Sequence, residues 1–443
     1  MFILGNGLVI TVDENSTVLQ NGAVVVEGDT IKEVGDTQAM KAKYPQAEFM
    51  DANGKVIMPG MINAHHHFYS TFARGIPSKG APPKTFGDIL EGLWWKLDKV
   101  LTLEDVYYSA MLPIIDSVKC GVTTIFDHHA SPFAARGSLD IMAKAALENG
   151  VRSCLCYELS DRDGEKIIQD GIDENVAFLK RVKENNEGGM LAASFGLHAS
   201  FTLSDDTLRR AKEAADELDS GFHVHTAEGP EDVEDSLKRC GKRVVERLNS
   251  FGILGPKTLA IHCVHVDDNE IKLLAETGTN VVHNPESNMG NAVGVSPIKK
   301  MLDAGVTLGL GTDGFTSDMF ESVKVANVLH KHAPKDPAAS WAEVPQMVFA
   351  NNQKIAAKFF PKPVGKLAPG AYADIIVVDY HPWTPVHSGN FYGHVLFGIS
   401  GRAVETTIIN GKVVMKNREL LFVDEAEVAA KARELAAKAW ERF

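Results

Sequence analysis

Short apolar runs alternate with longer amphipathic segments through the middle of the chain. Within residues 205–219, Leu208, Ala211, Ala215 and Leu218 recur at helical spacing, whereas the apolar runs have the length and composition of strands. Eight strands that are each followed by a helical segment predict an α/β fold, namely a (β/α)₈ TIM-like barrel. The eight predicted strands are residues 56–65, 121–128, 151–157, 190–198, 221–226, 258–263, 280–284 and 306–312.

The two ends of the chain share a sequence pattern that differs from that of the middle. Short β-rich runs separated by glycine and aspartate fill residues 8–34, and residues 366–416 return to the same pattern. We therefore predict that both ends together build one small composite β-sandwich domain beside the barrel. The predicted domains are residues 1–56 (first part of the sandwich), 57–365 (barrel) and 366–443 (second part of the sandwich plus a terminal helix).

A long segment rich in aromatic residues follows the first predicted strand. Residues 68–105 include Phe86, Trp94 and Trp95, with Gly-Ala-Pro-Pro at 80–83. Such a segment above a barrel mouth is interpreted as a lid or a pocket wall. The alternatives are an extra helix packed against the barrel, or a contact between two copies of the chain.

Composition and charge exclude several classes of protein. The chain has 443 residues, of which 44% are hydrophobic and 23% charged, as in an ordinary globular protein with a large core. Its net charge of −13 disfavours a nucleic-acid partner. The sequence has no run long enough to span a bilayer and no basic region of a signal peptide, so we expect no membrane association. Five scattered cysteines without a Cys-x-x-Cys pair predict reduced thiols and a cytoplasmic location.

Histidines and one acid at the ends of predicted strands suggest a metal site. His65 and His67 lie two residues apart on an extended run, so their side chains point to the same side. His225 ends the fifth run and Asp313 follows the eighth. Histidine nitrogens with one carboxylate suit a borderline-soft divalent ion. These four residues therefore predict a site for one divalent metal ion, zinc first, with iron as the alternative.

Other polar residues near the same strand ends predict proton transfer and substrate contacts. Glu228 lies three residues past His225, where it can shuttle a proton to and from a water whose pKa a metal ion lowers to about 7. His262 ends the sixth run and is expected to assist Asp313, which accepts the water's proton. His198 and His283 end the fourth and seventh runs; each is either a substrate contact or a satisfied polar residue, and a metal at the barrel mouth favours substrate contact.

Several motifs, in order along the chain, resemble the amidohydrolase superfamily in its branch of metal-dependent deaminases and chlorohydrolases. They are Pro-Gly-Met-Ile-Asn-Ala-His-His-His at 59–67 with Arg-Gly at 74–75, His-x-x-Glu at 225–228, His-Cys at 262–263, His-x-Pro-x-Ser-Asn at 283–288 and Gly-Thr-Asp at 311–313. Residues 70–75 and 94–99 are in turn similar to the SsnA group of aminohydrolases. The resemblance implies a homodimer, substrate contacts by His198, Arg74 and Trp94, and the metal-ligand and proton-transfer roles given above.

Further features of the sequence bear on the number of metal ions and on the polarity of the pocket. The fourth predicted strand contains no lysine, whereas binuclear sites of this kind bridge two ions with a carboxylated lysine on that strand. This absence favours one ion, and deamination over the opening of a cyclic amide. Asn284 and Glu286 stand where many relatives have cysteine and a small residue, and an inward-facing Glu286 would change the polarity of the pocket.

The leading hypothesis is a mononuclear metal-dependent aminohydrolase acting on a C–N bond of a small nitrogen heterocycle, such as a purine or pterin-like ring. One alternative is a chlorohydrolase, or a hydrolase that opens a cyclic amide, at the same site. An alternative from another class is a catalytically silent barrel with a regulatory or assembly role.

Overall fold

The computed structural model describes residues 1–77 and 80–443. Residues 78 and 79 of the predicted aromatic insertion lie outside the described residues. The strands are β1 (Phe2–Ile10), β2 (Val18–Glu27), β3 (Thr30–Asp36), β4 (Glu48–Asp51), β5 (Val56–Pro59), β6 (Met61–His66), β7 (Val122–His129), β8 (Arg152–Tyr157), β9 (Leu191–Ala193), β10 (Phe195–Ala199), β11 (Phe222–Thr226), β12 (Leu259–His262), β13 (Asn280–His283), β14 (Thr307–Leu310), β15 (Ile375–Val378), β16 (Val404–Ile409), β17 (Lys412–Lys416) and β18 (Glu419–Leu420).

Helices fill most of the connections between these strands. They are α1 (Thr37–Lys43), α2 (Phe86–Ile89), α3 (Trp95–Val100), α4 (Leu103–Lys119), α5 (Ser138–Glu148), α6 (Glu165–Glu184), α7 (Asp205–Glu217), α8 (Pro230–Cys240), α9 (Val244–Ser250), α10 (Asp268–Thr277), α11 (Pro285–Gly290), α12 (Ile298–Asp303), α13 (Met319–His332), α14 (Glu343–Pro345), α15 (Asn352–Ala356), α16 (Phe391–Gly398) and α17 (Glu425–Arg442). Across the described ranges, none of them is long and apolar enough to cross a membrane.

Strands β6 to β14 are all parallel to their neighbours, as the βα alternation predicts. They form two sheets, in the orders β6-β7-β8-β9 and β10-β11-β12-β13-β14. β9 and β10 belong to one predicted strand that is interrupted at Ser194. Single parallel bridges join the two sheets, His66 with Asp313 on one side and Leu159 with Leu197 on the other. The order is that of the predicted eight-stranded barrel, although the two sheets meet through single bridges rather than one uninterrupted ladder.

The strands of both chain ends join in one nine-stranded sheet. Its order is β18-β17-β16-β15-β5-β1-β2-β3, with β4 also paired to β1. β5 makes the junction, because it pairs antiparallel with β15 and parallel with β1. Strands from both chain ends thus pair with each other, as predicted. The described strands form one sheet, however, and not the two separate sheets of a sandwich. The domain boundaries at 56 and 365 stay a prediction.

Glycines explain two places where predicted elements are split. The first predicted strand divides at Gly60 into β5 and β6, where an added Cβ would lie 2.1 Å from Thr123 Cγ2, so only glycine permits this approach. The helical segment predicted after the fifth strand divides into α8 and α9. Gly241 follows α8 with φ +68°, the left-handed conformation that ends helices.

Candidate active site

The four residues predicted to bind metal converge beyond the carboxyl ends of β6, β11 and β14. His67 Nε2 lies 3.2 Å from His225 Nε2 and 3.5 Å from Asp313 Oδ1. His65 Nε2 is buried and has no hydrogen-bond partner among the described residues. Ring nitrogens of His65, His225 and His262 also lie within 4.8 Å of one another. Several histidine nitrogens and one carboxylate oxygen that face one another at these distances fit a divalent ion.

The other ring nitrogen, Nδ1, of His65, His67 and His225 is held by a neighbouring group. His65 Nδ1 shares a hydrogen bond of 2.8 Å with His223 Nε2. His67 Nδ1 donates to the carbonyl of His128 over 2.5 Å, and His225 Nδ1 donates to the carbonyl of His198 over 2.9 Å. Such outer contacts orient Nε2 toward a metal. Burial lowers the pKa of His65, His67 and His225, which favours the neutral rings that bind a metal ion.

Asp313 is buried but held in its charged form. Burial alone would raise the pKa of this carboxyl, yet the nearby His67 and His262 bring it below its usual value. Hydrogen bonds from the Ser287 hydroxyl to Oδ2 (2.7 Å) and from the Gly314 amide to Oδ1 (2.6 Å) act in the same direction. The residue is therefore suited to bind a cation or to accept a proton.

Glu228 and His262 complete a compact group with Asp313. His262 Nε2 lies 3.4 Å from Glu228 Oε2 and 3.5 Å from Asp313 Oδ2. The other His262 nitrogen, Nδ1, faces Asn288 Oδ1 at 2.8 Å, which fixes the ring. Burial first, and then the negative charge of Asp313, raises the pKa of Glu228 well above its ordinary value. The pKa values of Glu228 and Asp313 are thus shifted in opposite directions on either side of one histidine.

A cavity opens above this group. It contains about 910 Å³ of space between the side chains, a volume that includes part of the open solvent. Residues of the aromatic insertion, among them Phe86, Leu90, Trp94 and Trp95, line it together with His198. The described part of the insertion is therefore a pocket wall, one of the interpretations considered from the sequence.

Comparison with known proteins identifies the family. The sequence model of the amidohydrolase family matches residues 56–414, which is most of the chain. The chain belongs to the amidohydrolase family. A second sequence model, the bacterial imidazolonepropionase-like composite domain, matches residues 22–47 of this amidohydrolase.

Deaminases are found among the relatives of this amidohydrolase. The 5'-deoxyadenosine deaminase of Methanosarcina mazei is 34% identical over 439 residues, covering 98% of this chain and 97% of that protein. The 5-methylthioadenosine/S-adenosylhomocysteine deaminase of Syntrophomonas wolfei is 33% identical over 445 residues, with 98% of each chain covered. These relatives confirm the predicted class of enzyme, a hydrolase of C–N bonds that deaminates a nitrogen heterocycle.

Solved structures share the fold. The adenosine deaminase from Xanthomonas campestris with bound zinc has a TM-score of 0.88 at 24% identity, covering 99% of this chain and 98% of that one. The zinc complex of the atrazine chlorohydrolase TrzN from Arthrobacter aurescens TC1 has a TM-score of 0.81 at 23% identity, covering 98% and 100%. The histidine cluster described above and the zinc bound in these two structures are both consistent with a site for a divalent metal ion.

Two residues that were predicted to bind substrate lie outside the cavity of the amidohydrolase. His283 is fully buried, and its Nε2 lies 2.9 Å from Nε2 of His330 on α13. Its side chain therefore leaves β13 toward the surrounding helices. Arg74 keeps 67% of its side chain exposed and lies 3.6 Å from Asp116 on α4. The sequence placed His283 at the end of the seventh predicted strand and Arg74 in the segment after the first, but packing decides which way each side chain points.

The departure at Glu286 has a local explanation. Its carboxylate accepts a 2.5 Å hydrogen bond from the Ser322 hydroxyl of α13 and is not among the cavity-lining groups. The acid therefore joins α11 to α13 and leaves the polarity of the pocket unchanged. Asn284 is buried beneath the site, with Nδ2 donating to the carbonyl of Val282 over 3.4 Å.

Sequence reasoning missed one side of the cavity. Glu158, Arg162 and Asp98 line it, and Arg162 Nη2 donates to Asp98 Oδ2 over 2.8 Å. Glu158 follows β8 directly, and the third predicted strand is the one that ends in neither histidine nor aspartate. A carboxylate directly after an apolar run is itself a signal, since a buried acid needs a partner or a function.

Proposed function

We propose that the protein hydrolytically deaminates the 6-aminopurine ring of adenosine derivatives with one bound divalent ion, zinc. The observation that carries the proposal is the group formed by Glu228, His262 and Asp313, in which His262 Nε2 lies 3.4 and 3.5 Å from the two carboxylates. The names of the relatives supply the substrate class, since both curated relatives described above act on adenosine derivatives.

His65, His67, His225 and Asp313 would hold the ion. When bound, a divalent ion lowers the pKa of a coordinated water to about 7 and so supplies the nucleophile. The protein's own part is to keep the three rings neutral and turned inward. Main-chain carbonyls of His128 and His198 do this for His67 and His225, and His223 does it for His65.

The two carboxyl groups move protons in opposite directions. Asp313 is held ionised by Ser287 and Gly314 and accepts a proton. Glu228 is held protonated by burial and donates its proton to the ring nitrogen beside the amino-bearing carbon. Water and the aminopurine thereby give an oxopurine and ammonia. The proton taken up by Asp313 leaves on the departing nitrogen, and the remaining hydroxyl proton of the added water returns to Glu228 as the carbonyl forms.

The aromatic wall orients the heterocycle. Trp94 and Trp95 belong to one helical segment that faces the strand ends, and Trp94 packs edge to face on Tyr69 with ring centroids 6.2 Å apart. Planar rings bind well between such side chains because apolar area is buried and ring contacts have a preferred geometry. The wall therefore selects flat heterocycles and excludes water.

The test is product analysis with protein whose zinc and iron have been counted. Adenosine, 5'-deoxyadenosine, guanine, a pterin, cytosine and atrazine are supplied in turn, and ammonia and chloride are measured. We expect about one equivalent of zinc and ammonia from the adenosine derivatives. Chloride from atrazine without ammonia from any ring would support a chlorohydrolase instead. Protein that holds no metal and releases neither product would support the silent barrel.

A further inference from the structure

Four buried polar atoms on one side of the cavity have no hydrogen-bond partner in the described part of the chain. They are Glu158 Oε2, Asp98 Oδ1, Arg162 Nη1 and Trp95 Nε1, and all four residues line the cavity. Buried polar atoms in native proteins are nearly always paired. This side of the cavity is therefore built to receive polar groups of a ligand.

Among these atoms, Glu158 Oε2 lies nearest to the proposed metal ligands. The side chain is 3% exposed, and Oε1 lies 3.2 Å from His198 Nε2. Oε2 is 3.9 Å from His67 Nδ1, and Oε1 is 3.8 Å from His225 Nδ1. Both histidines already donate those nitrogens to main-chain carbonyls. Glu158 is therefore bound through Oε1 to His198 alone, and Oε2 is left for a group in the cavity.

Thr202 settles the hydrogen-bonding character of Glu158 Oε2. The Thr202 hydroxyl donates its proton to the carbonyl of Ala199 over 3.1 Å, so it accepts from His198 Nδ1 over 2.6 Å. Nε2 of a neutral His198 is then an acceptor, and the proton between the two side chains is on Glu158 Oε1. If that proton moves to Nε2, Glu158 becomes a carboxylate. Oε2 is an acceptor in both arrangements.

We propose that Glu158 is a specificity-determining residue whose Oε2 accepts a hydrogen bond from an N–H or O–H group of the substrate. The proposal rests on the proposed function, because it concerns the same cavity. The donor is the exocyclic amino N–H or a hydroxyl of the attached sugar, because no ring nitrogen of an adenosine derivative carries a hydrogen. Arg162 is held by Asp98 at 2.8 Å and Ser160 at 2.9 Å, which keeps Nη1 for an acceptor of the same ligand.

Two variants separate this role from a structural one. Glu158→Gln keeps the shape, donates its amide to His198 and leaves a carbonyl oxygen toward the cavity. Glu158→Leu removes the acceptor at similar volume, and Glu158→Met carries the same test if the leucine variant does not fold. We expect Glu158→Gln to keep KM within about threefold of the unaltered protein, and Glu158→Leu to raise KM about tenfold or more.

Matched ligands locate the donor. Adenosine is compared with 2'-deoxyadenosine, 3'-deoxyadenosine and N6,N6-dimethyladenosine by calorimetric binding to zinc-loaded protein, and with the two deoxynucleosides also by KM. The acceptor-free variant should lose the preference within one pair and keep it within the others, which identifies one hydroxyl or the amino N–H as the partner.

Three results would overturn the role of Glu158. They are equal behaviour of the leucine and glutamine variants, a preference that survives the loss of the acceptor in every pair, or loss of zinc from the leucine variant, which would make Glu158 a metal ligand. If the unaltered protein releases no ammonia from any of these compounds, the proposed function fails instead. Calorimetric binding still decides the role of Glu158 in that case.

Discussion

At the scale of single residues, two carboxylic acids in contact with one histidine are held in opposite protonation states. Glu228 lies in a buried position with a weak 3.5 Å hydrogen bond from Asn291, and its pKa is raised. Asp313 receives two short hydrogen bonds from Ser287 and Gly314 and faces His67 and His262, so its pKa is lowered. A donor and an acceptor of protons can therefore coexist within a few ångströms, as acid–base catalysis of hydrolysis requires.

Replacing Glu228 tests its role as a proton donor. Glu228→Gln keeps the size and the contact with Asn291 but cannot give up a proton. We expect unchanged zinc content and a fall in kcat of about 10²–10⁴-fold. Metal content by elemental analysis and kcat from ammonia release are the measurements. A variant that has lost its zinc would show that Glu228 is a metal ligand and that the assigned role is wrong.

Replacing Asp313 has a different expected result. Asp313→Asn leaves a neutral amide between His67 and His262, which neither accepts a proton nor binds a cation as a carboxylate does. We expect turnover to fall below detection, with partial or complete loss of zinc. Ammonia release and zinc content are measured on the same sample, with Glu228→Gln as the control that keeps its metal. Turnover within about tenfold of the unaltered protein would contradict a role in proton transfer.

At the scale of secondary-structure elements, sharp turns at the strand ends aim the reactive groups inward. Ala227, His262 and Asp313 have φ values of 48°, 71° and 55°, which non-glycine residues rarely adopt. Ala227 comes directly after β11, His262 ends β12, and Asp313 follows β14. A left-handed residue costs about 1–3 kcal/mol unless its surroundings hold it in place. The backbone is therefore conformationally strained at the turns that direct the side chains of the site inward.

The contact between α11 and α13 should depend on pH. Glu286 is largely buried against Ser322, and burial raises its pKa from 4.5 to about 7. The folded state then binds a proton more tightly than the unfolded state, so stability falls as pH rises from about 4.5 through 7. Glu286→Gln removes this loss. Relative to the unaltered protein it should gain up to about 3 kcal/mol in free energy of unfolding between pH 5 and pH 8.

Denaturant unfolding of both proteins at pH 5 and pH 8 measures this difference. The glutamine variant keeps the hydrogen bond to Ser322, so the effect at pH 5 should be small. A difference between the two proteins that does not change with pH would contradict the raised pKa of Glu286.

At the scale of the whole molecule, one buried ion pair connects the parallel strands to the sheet of the chain ends. Arg152 on β8 donates from Nε to Asp374 Oδ2 over 2.9 Å, and both side chains are fully buried. The guanidinium also lies 3.6 Å from the ring centroid of Tyr372. Asp374 in turn accepts from the amide of Asn410 over 2.7 Å. The two parts of the molecule are therefore fixed to each other by charge and by geometry.

Breaking this pair should destabilise the fold strongly. Asp374→Ala leaves Arg152 buried without its counter-ion, which costs about 3–5 kcal/mol in free energy of unfolding. The exposed pair of Lys299 and Asp303 is the control, because Asp303→Ala should cost at most about 1 kcal/mol. Denaturant unfolding of the unaltered protein and the two variants gives both values. Equal losses of stability in the two variants would show that the buried pair does not stabilise the fold.

Local patterns in the sequence determined most of the elements and the proposed metal cluster. Apolar runs predicted the parallel strands to within a few residues, because strand length and composition are local properties. The positions of His65, His67, His225 and Asp313 at strand ends followed from the same runs, since parallel strands bring their carboxyl ends to one face. Glu228 was found by its spacing from His225.

Tertiary structure decided what each side chain meets. His283 ends a strand like the site residues, yet packing turns it toward α13, and Arg74 of the aromatic insertion is left at the surface. Glu158 belongs to the cavity because the end of β8 lies beside His198. This contact joins residues far apart in the chain, so no local sequence pattern shows it. The single sheet of the two chain ends likewise depends on β5 meeting β15 across more than three hundred residues of sequence. Periodicity specifies where a strand begins and ends, whereas the partner of a side chain is set by contacts between residues far apart in the chain.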